Sequence, residues 1–149
     1  MPAINKILCA VDFSSHSKDV AEHARLFAKS LGAEVIVVYA APSLSQYVGF
    51  HVPTASIETL VGEIVTGAEK TMEAFVSENF ADINASGRVV TGYAAEEILD
   101  VAEAEKVDMI IMGTHGRKGI DRILFGSVAE KVVKSASMPV LTIRPEIED

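Results

Sequence analysis

Five short runs of apolar, mostly β-branched residues punctuate the chain: Ile4–Val11, Glu34–Ala41, Arg88–Thr91, Val107–Met112 and Pro139–Arg144. Runs such as Val35–Val38 and Met109–Met112 do not alternate with polar residues, so they predict strands covered on both faces. The third run is the shortest and lies between Gly87 and Gly92. Between the runs, apolar residues return at helical spacing. Val20, Ala24, Phe27, Ala28 and Leu31 form one face after the serines that follow Asp12, and Gly32 supplies a stop. A second helix is expected over about 56–79, with Leu60, Ile64, Ala68, Met72, Phe75 and Val76 inward. A third spans Ala94–Lys106 on Ile98, Leu99 and Ala102. A fourth runs from Ser127 to about Ala136 on Val128, Ala129, Val132, Val133 and Ala136. Ser43–Thr54 has no clear period, contains Gly49 and Pro53, and reads as a mobile loop or lid.

The resulting order is β-α-β-α-β-α-β-α-β. Right-handed crossovers place such helices on both faces of one open parallel sheet, an α/β fold. No repeat or domain boundary interrupts the pattern, so one domain over residues 1–149 is expected. The last strand has no helix after it and lies between Pro139 and Pro145. It suits a sheet edge with one side available to a second chain.

Composition narrows the function classes. With 49% hydrophobic residues, few aromatics and no Trp, the chain has the balance of a compact domain rather than a disordered one. A formal charge of −8 argues against nucleic-acid binding, which depends on releasing counterions from phosphates. Arg117, Lys118 and Arg122 still form a local basic cluster. The lone cysteine, Cys9, sits in the apolar run KILCAVD and reads as a small core residue of a protein in a reducing compartment. The opening MPAINK leads straight into a strand, and the longest apolar run, Val35–Pro42, is far too short to span a bilayer. A cytoplasmic protein without membrane insertion is expected.

In an open α/β sheet, ligands bind beyond the C-terminal ends of the strands, where the crossover direction reverses. Here those ends are AVDFS, YAAP and MGTHG. The stretch MGTHGRKGIDRILFGSVAEK, Met112–Lys131, carries four glycines and four basic residues. It lacks the Lys-Ser/Thr of a P-loop, and no GxGxxG follows the first strand. Gly113 and Gly116 allow close backbone approach to a ligand. Gly126 and Ser127 precede a helix whose first N–H groups and dipole attract anions. A second reading stands beside this one: Ser127-Val-Ala-Glu130 fits a capping box, and Gly113 serves only a turn.

The spacing Gly113-x2-Gly116-x9-Gly126-Ser127 resembles the G-x2-G-x9-G-[S/T] signature of the universal stress protein family. KILCAVDFS, EVIVVYAAP, AAEEILDVAEAEKVDMIIMGTHG and SMPVLTIRP resemble successive blocks of that family, in order and over nearly the whole chain. The resemblance implies a Rossmann-like, five-stranded parallel sheet in the order 3-2-1-4-5, and membership of the branch that keeps the signature and binds ATP. It implies that Ala10 lies beneath the nucleotide and Asp12 near the ribose and phosphates, and that the Ala40 backbone reads the adenine edge. Gly113, His115, Gly116 and Arg117 would line the ribose–phosphate side. The N–H groups of Ser127 and Val128 would meet the phosphates, with Gly126 giving access. Relatives of this branch often carry Thr where this chain has Ala129, which removes one hydroxyl contact. Asp12 retains its alternative as a helix cap beside Ser14 and Ser15, and His115 as a plain loop residue.

His16, His23 and His51 show no metal-ligand spacing, so a divalent ion accompanying ATP, Mg2+ or Mn2+, is expected to be held mainly by the phosphates. The homodimer expected through Val140–Ile143 follows from the edge position of that strand. Three activities stay open: a nucleotide-dependent regulatory protein of the stress response, a slow ATPase or phosphotransferase, and a dimeric interaction module that keeps the loop for structure alone.

Overall fold

A computed structural model of the chain describes residues 3–43, 54–114 and 126–144. The elements are β1 (Lys6–Ala10), α1 (Ser17–Leu31), β2 (Glu34–Ala41), α2 (Thr54–Asn79), β3 (Ala85–Thr91), α3 (Ala94–Ala104), β4 (Met109–Gly113), α4 (Ser127–Ser135) and β5 (Val140–Ile143). The sheet order is β3-β2-β1-β4-β5, and every neighbouring pair is parallel. Both the expected order and the edge position of the last strand are found.

Two cores follow from the two-residue period of the strands. Ile7, Cys9, Val35, Val37, Met109 and Ile111 face α1 and α2, where they meet Val20, Ala24, Ala28 and Met72. Leu8, Ala10, Ile36, Val38, Ile110 and Met112 face α3 and α4, against Ala95, Ile98, Ala102, Ala129 and Val132. Each large aliphatic side chain so buried stabilises the fold by about 1.5–3 kcal/mol. Both faces are covered, which is why these strands read as unbroken apolar runs.

The helix ends have local causes. Gly32 adopts a left-handed conformation (φ 66°) and its N–H reaches the Ala28 carbonyl, the stop expected after α1. In α2 the inward stripe includes Ile57, Ala68 and Met72, whereas Leu60 is 44% exposed. A constant step of four residues drifts about 40° per step around a helix. The inward expectation for Leu60, reached by such steps, therefore fails. β3 begins at Ala85, three residues before the expected run, because Ala85, Ser86 and Gly87 carry no apolar pattern. Gly87 is required by packing: a Cβ there would lie 2.3 Å from Met72 Cγ and 2.9 Å from Met72 Sδ, and Met72 is buried.

At the N-terminal end of the sheet the carboxylate of Asp108 closes the backbone. Its Oδ2 accepts the N–H groups of Asn5 (2.9 Å) and Lys6 (3.0 Å), which pins the start of β1 to the start of β4. Lys6 Nζ donates to the Glu105 carbonyl (3.1 Å) and pairs with the Glu34 carboxylate at 3.5 Å. Across the surface, Asp82 is gripped by Arg25 and Lys29, which hold its carboxyl well below the usual carboxylate range. Such exposed pairs add little stability.

Replacing Gly87 by Ala should destabilise the protein by about 1–3 kcal/mol, through overpacking against Met72. Gly67→Ala, in α2 where an added Cβ meets nothing within 4 Å, should instead stabilise it by about 0.5–1 kcal/mol. Urea unfolding midpoints at constant m-value check both signs. Cys9 is fully buried, and desolvation pushes its thiol up to about 12. The native protein should therefore resist iodoacetamide at pH 8.5, while the urea-unfolded chain reacts. The folded pKa lies above the unfolded one, so this contribution to stability is fully present below about pH 8.5 and is lost progressively as pH rises toward the folded value. Cys9→Ala should flatten that alkaline decline in a pH series of unfolding curves.

Candidate functional site

The central strand stops short of its neighbours. The last rung between β1 and β2 is the Val11 N–H donating to the Val38 carbonyl at 3.0 Å, and the last β1–β4 pair is Cys9 with Ile111. β2 continues to Ala41 and β4 to Gly113. Hydrogen-bond direction alternates along a strand. Val38 faces β1, while the Ala41 carbonyl accepts from Gly92 on the β3 side, so the N–H and C=O of Ala40 face the β1 side. Ile110 and Thr114 donate to Pro139 and Ile143, so the backbone groups of Gly113 face the β1 side as well. Ala40 and Gly113 thus flank a notch in the sheet above the end of β1. Ala10, the last residue of β1, is buried at its base.

The turn that ends β1 carries the carboxylate. Phe13, next to Asp12, has φ 60°, a left-handed conformation unfavourable for a residue with a Cβ. Its ring is held against Tyr39 of β2 (centroids 4.7 Å apart) and Phe75 of α2 (5.8 Å). Asp12 Oδ1 accepts the Ser14 N–H at 2.9 Å, an Asx turn, and the Ser17 hydroxyl at 3.0 Å. The cap position of α1 belongs to His16, whose side chain makes no capping bond. The alternative reading of Asp12 as an ordinary cap of the first helix is therefore replaced: it braces the turn and grips the first helical residue.

The other wall comes from α4. The Gly126 N–H donates to the Thr114 carbonyl at 2.7 Å, which brings the start of α4 to the end of β4. Gly126 occupies the cap position with extended backbone (φ −73°, ψ 159°), and Ser127 is the first helical residue, exposed. The expectation that Ser127 caps this helix is corrected. The Ser-x-x-Glu spacing also fits a helix that begins at the serine itself, and Gly126 has no side chain with which to cap. The Glu130 carboxylate turns instead to Lys134, 2.7 Å away. Ala129 is 2% exposed and packs into the core beneath α4.

Of the expected site residues, Ala10, Asp12, Ala40, Gly113, Gly126, Ser127 and Val128 lie at the C-terminal end of the sheet. His115, Gly116 and Arg117 fall outside the described residues, as does most of the Ser43–Thr54 segment. Among the described residues no group of three His, Cys, Asp or Glu side chains could hold a metal ion. None of their helices is long and apolar enough to cross a membrane. Sequence reasoning missed Phe13, Ser17 and Thr114. Ser17 had a faint signal, five residues after Asp12. The positive φ of Phe13 had none, because the turn is imposed by rings from distant segments.

Comparison with known proteins agrees with this architecture. The universal stress protein family matches residues 3–144. Universal stress protein MJ0531 of Methanocaldococcus jannaschii is 36% identical over 141 residues, covering 93% of this chain and 81% of that protein. MJ0577 of the same organism is 30% identical, covering 93% of this chain and 94% of that protein. Its solved structure matches with a TM-score of 0.83 over 97% of this chain and 99% of the other. A universal stress protein from Archaeoglobus fulgidus, solved in complex with dAMP, has a TM-score of 0.66 at 21% identity, covering 96% and 99% of the two chains. Sequence and topology agree from the first strand to the last, and the chain belongs to the universal stress protein family.

Proposed function

We propose that this protein binds ATP in the notch at the C-terminal end of its sheet and acts as a nucleotide-dependent regulatory protein of the stress response, in the cytoplasm and as a single domain. The observation that carries this reading is the early end of β1. It leaves the backbone groups of Ala40 and Gly113 turned toward a shared gap, with the Asp12 turn directly after β1 and the N-terminus of α4 bonded to the end of β4. Each part suits one portion of ATP. The Ala40 N–H and C=O offer the donor–acceptor pair that an adenine edge requires. Asp12 suits ribose hydroxyls, as acidic residues do in dinucleotide sites. The N–H groups of Ser127 and Val128, at a helix start preceded by a residue without a side chain, suit phosphate oxygens. Gly113, His115, Gly116 and Arg117 complete the ribose–phosphate side, and Ala10 forms the base. The dAMP complex of the Archaeoglobus fulgidus relative supports an adenine nucleotide in this fold.

Mg2+ or Mn2+ would be held by the phosphates, where it would neutralise their charge. Efficient hydrolysis requires a positioned water and charge stabilisation at the γ-phosphate. One oxygen of the Asp12 carboxylate is taken up by the Ser14 N–H and the Ser17 hydroxyl, which suits it to holding a ligand rather than to activating a water.

A homodimer through β5 accompanies this reading. The carbonyls of Pro139 and Ile143 accept from β4, so the backbone groups of Val140 and Thr142 point to the outer edge. An antiparallel twofold mate would pair there.

Mg-ATP at about one hundred times its Kd should stabilise the protein by about 2.7 kcal/mol and raise the melting temperature accordingly. No shift with millimolar Mg-ATP, and no nucleotide retained on gentle purification, would overturn the binding reading. Thr142→Pro removes an outward N–H while sparing the bonds to β4. It should convert a dimer to a monomer in light scattering at micromolar concentration, whereas a monomeric wild type would refute the assembly.

A further inference from the structure

We propose that Ser17 is a positioning residue for the nucleotide, an inference that rests on the ATP reading above: its hydroxyl dictates which oxygen of Asp12 faces the ribose. Ser17 is 3% exposed and, with Thr114, is one of two buried polar side chains among the described residues. A serine at a helix start ordinarily serves the N–H groups of its own helix. Here the hydroxyl is turned backward: it donates to Asp12 Oδ1 at 3.0 Å and accepts the Asp12 N–H at 3.3 Å. The Ser14 N–H donates to the same Oδ1 at 2.9 Å. Oδ1 therefore receives two donors, and Oδ2 receives none among the described residues. An ionised carboxylate has about four acceptor positions, and this arrangement assigns one oxygen to the fold and leaves the other to a ligand.

The chemistry defines what Ser17 does. A carboxylate held by the Ser14 N–H alone turns about its Cβ–Cγ bond, a broad torsion with little intrinsic preference. The reciprocal pair with Ser17 adds a second donor to Oδ1, which restrains that torsion, and also holds the backbone N–H of Asp12. Ribose hydroxyls are weak donors that reward an acceptor already in place. Ser17 thus acts through Asp12, and only on ligands that present hydroxyls to it.

Isothermal titration with Mg-ATP and with Mg-2′,3′-dideoxy-ATP separates this role from a merely structural one. Ser17→Ala should weaken ATP about tenfold, the scale of one hydrogen bond to a charged acceptor, and leave the dideoxy analogue unchanged. Asp12→Ala and the double variant Asp12→Ala/Ser17→Ala should bind ATP equally, because Ser17 has nothing left to position. Ser17→Cys, similar in shape but a weak donor, should show a smaller loss with the same ligand dependence, and stands in if the Ala variant does not fold. Equal weakening of both ligands, wild-type affinity in Ser17→Ala, or a further loss in the double variant would each overturn the proposal. If the wild type binds ATP and the dideoxy analogue equally well, the ribose contact is wrong while the nucleotide reading survives. Failure of the wild type to bind either ligand removes both.

Discussion

The length of β1 is the constraint on which the site depends. As the middle strand of five it shares rungs with both neighbours, yet it ends at Ala10 while β2 and β4 run on. A left-handed turn at Phe13 ends it, at a local cost of about 1–2 kcal/mol for a residue with a Cβ. Two ring contacts, to Tyr39 and Phe75, are each worth about 0.5–1.5 kcal/mol, enough to offset that cost. Two more residues of strand would have satisfied the backbone of Ala40 and Gly113 from within. The notch is a piece of sheet withheld, and its edges keep the hydrogen-bonding capacity that the strand would otherwise have used.

The two ends of the sheet are handled in opposite ways. At the N-terminal end Asp108 takes up the backbone donors of Asn5 and Lys6, and Lys6 reaches the carbonyl at the end of α3. Side chains there complete the backbone of the sheet. At the C-terminal end Asp12 is bent into its own turn and the cap of α4 is a glycine. A parallel sheet sends every strand toward the same end, so backbone polarity concentrates where the side chains do not neutralise it. The apolar interior is indifferent to the difference: Ile7, Leu8, Ile110 and Ile111 are fully buried between the layers.

Much of this was legible in the residue pattern, for physical reasons. Strands covered on both faces must be unbroken apolar runs, so β2 was readable to the residue. Gly32 announced the end of α1 because a left-handed stop favours glycine. The start of β3 was not legible: an edge strand covered by α2 needs room for Met72, and room appears in sequence as Gly87, which reads as a turn. Ser127 was misassigned because a capping spacing does not distinguish the residue before a helix from its first residue. The glycine signature pointed to Gly113 and Gly126, which lie at the C-terminal end of the sheet, but the hydrogen bond joining their neighbourhoods runs through the carbonyl of Thr114, which no side-chain pattern reveals. The same holds for the turn at Phe13. It exists because segments 26 and 62 residues away supply rings, and such distances leave no local trace.

The bond between the Gly126 N–H and the Thr114 carbonyl has a further consequence. It ties the end of β4 directly to the start of α4, so one backbone bond of 2.7 Å sets the separation of the two elements. Closure entropy grows only as the logarithm of length, by about 0.6 kcal/mol per doubling. With that base pinned, a change in the number of residues between Thr114 and Gly126 should cost the two cores little. An open sheet of β-branched residues between alanine-rich helices can thereby accept a change in the length of that connection without renegotiating how the chain folds.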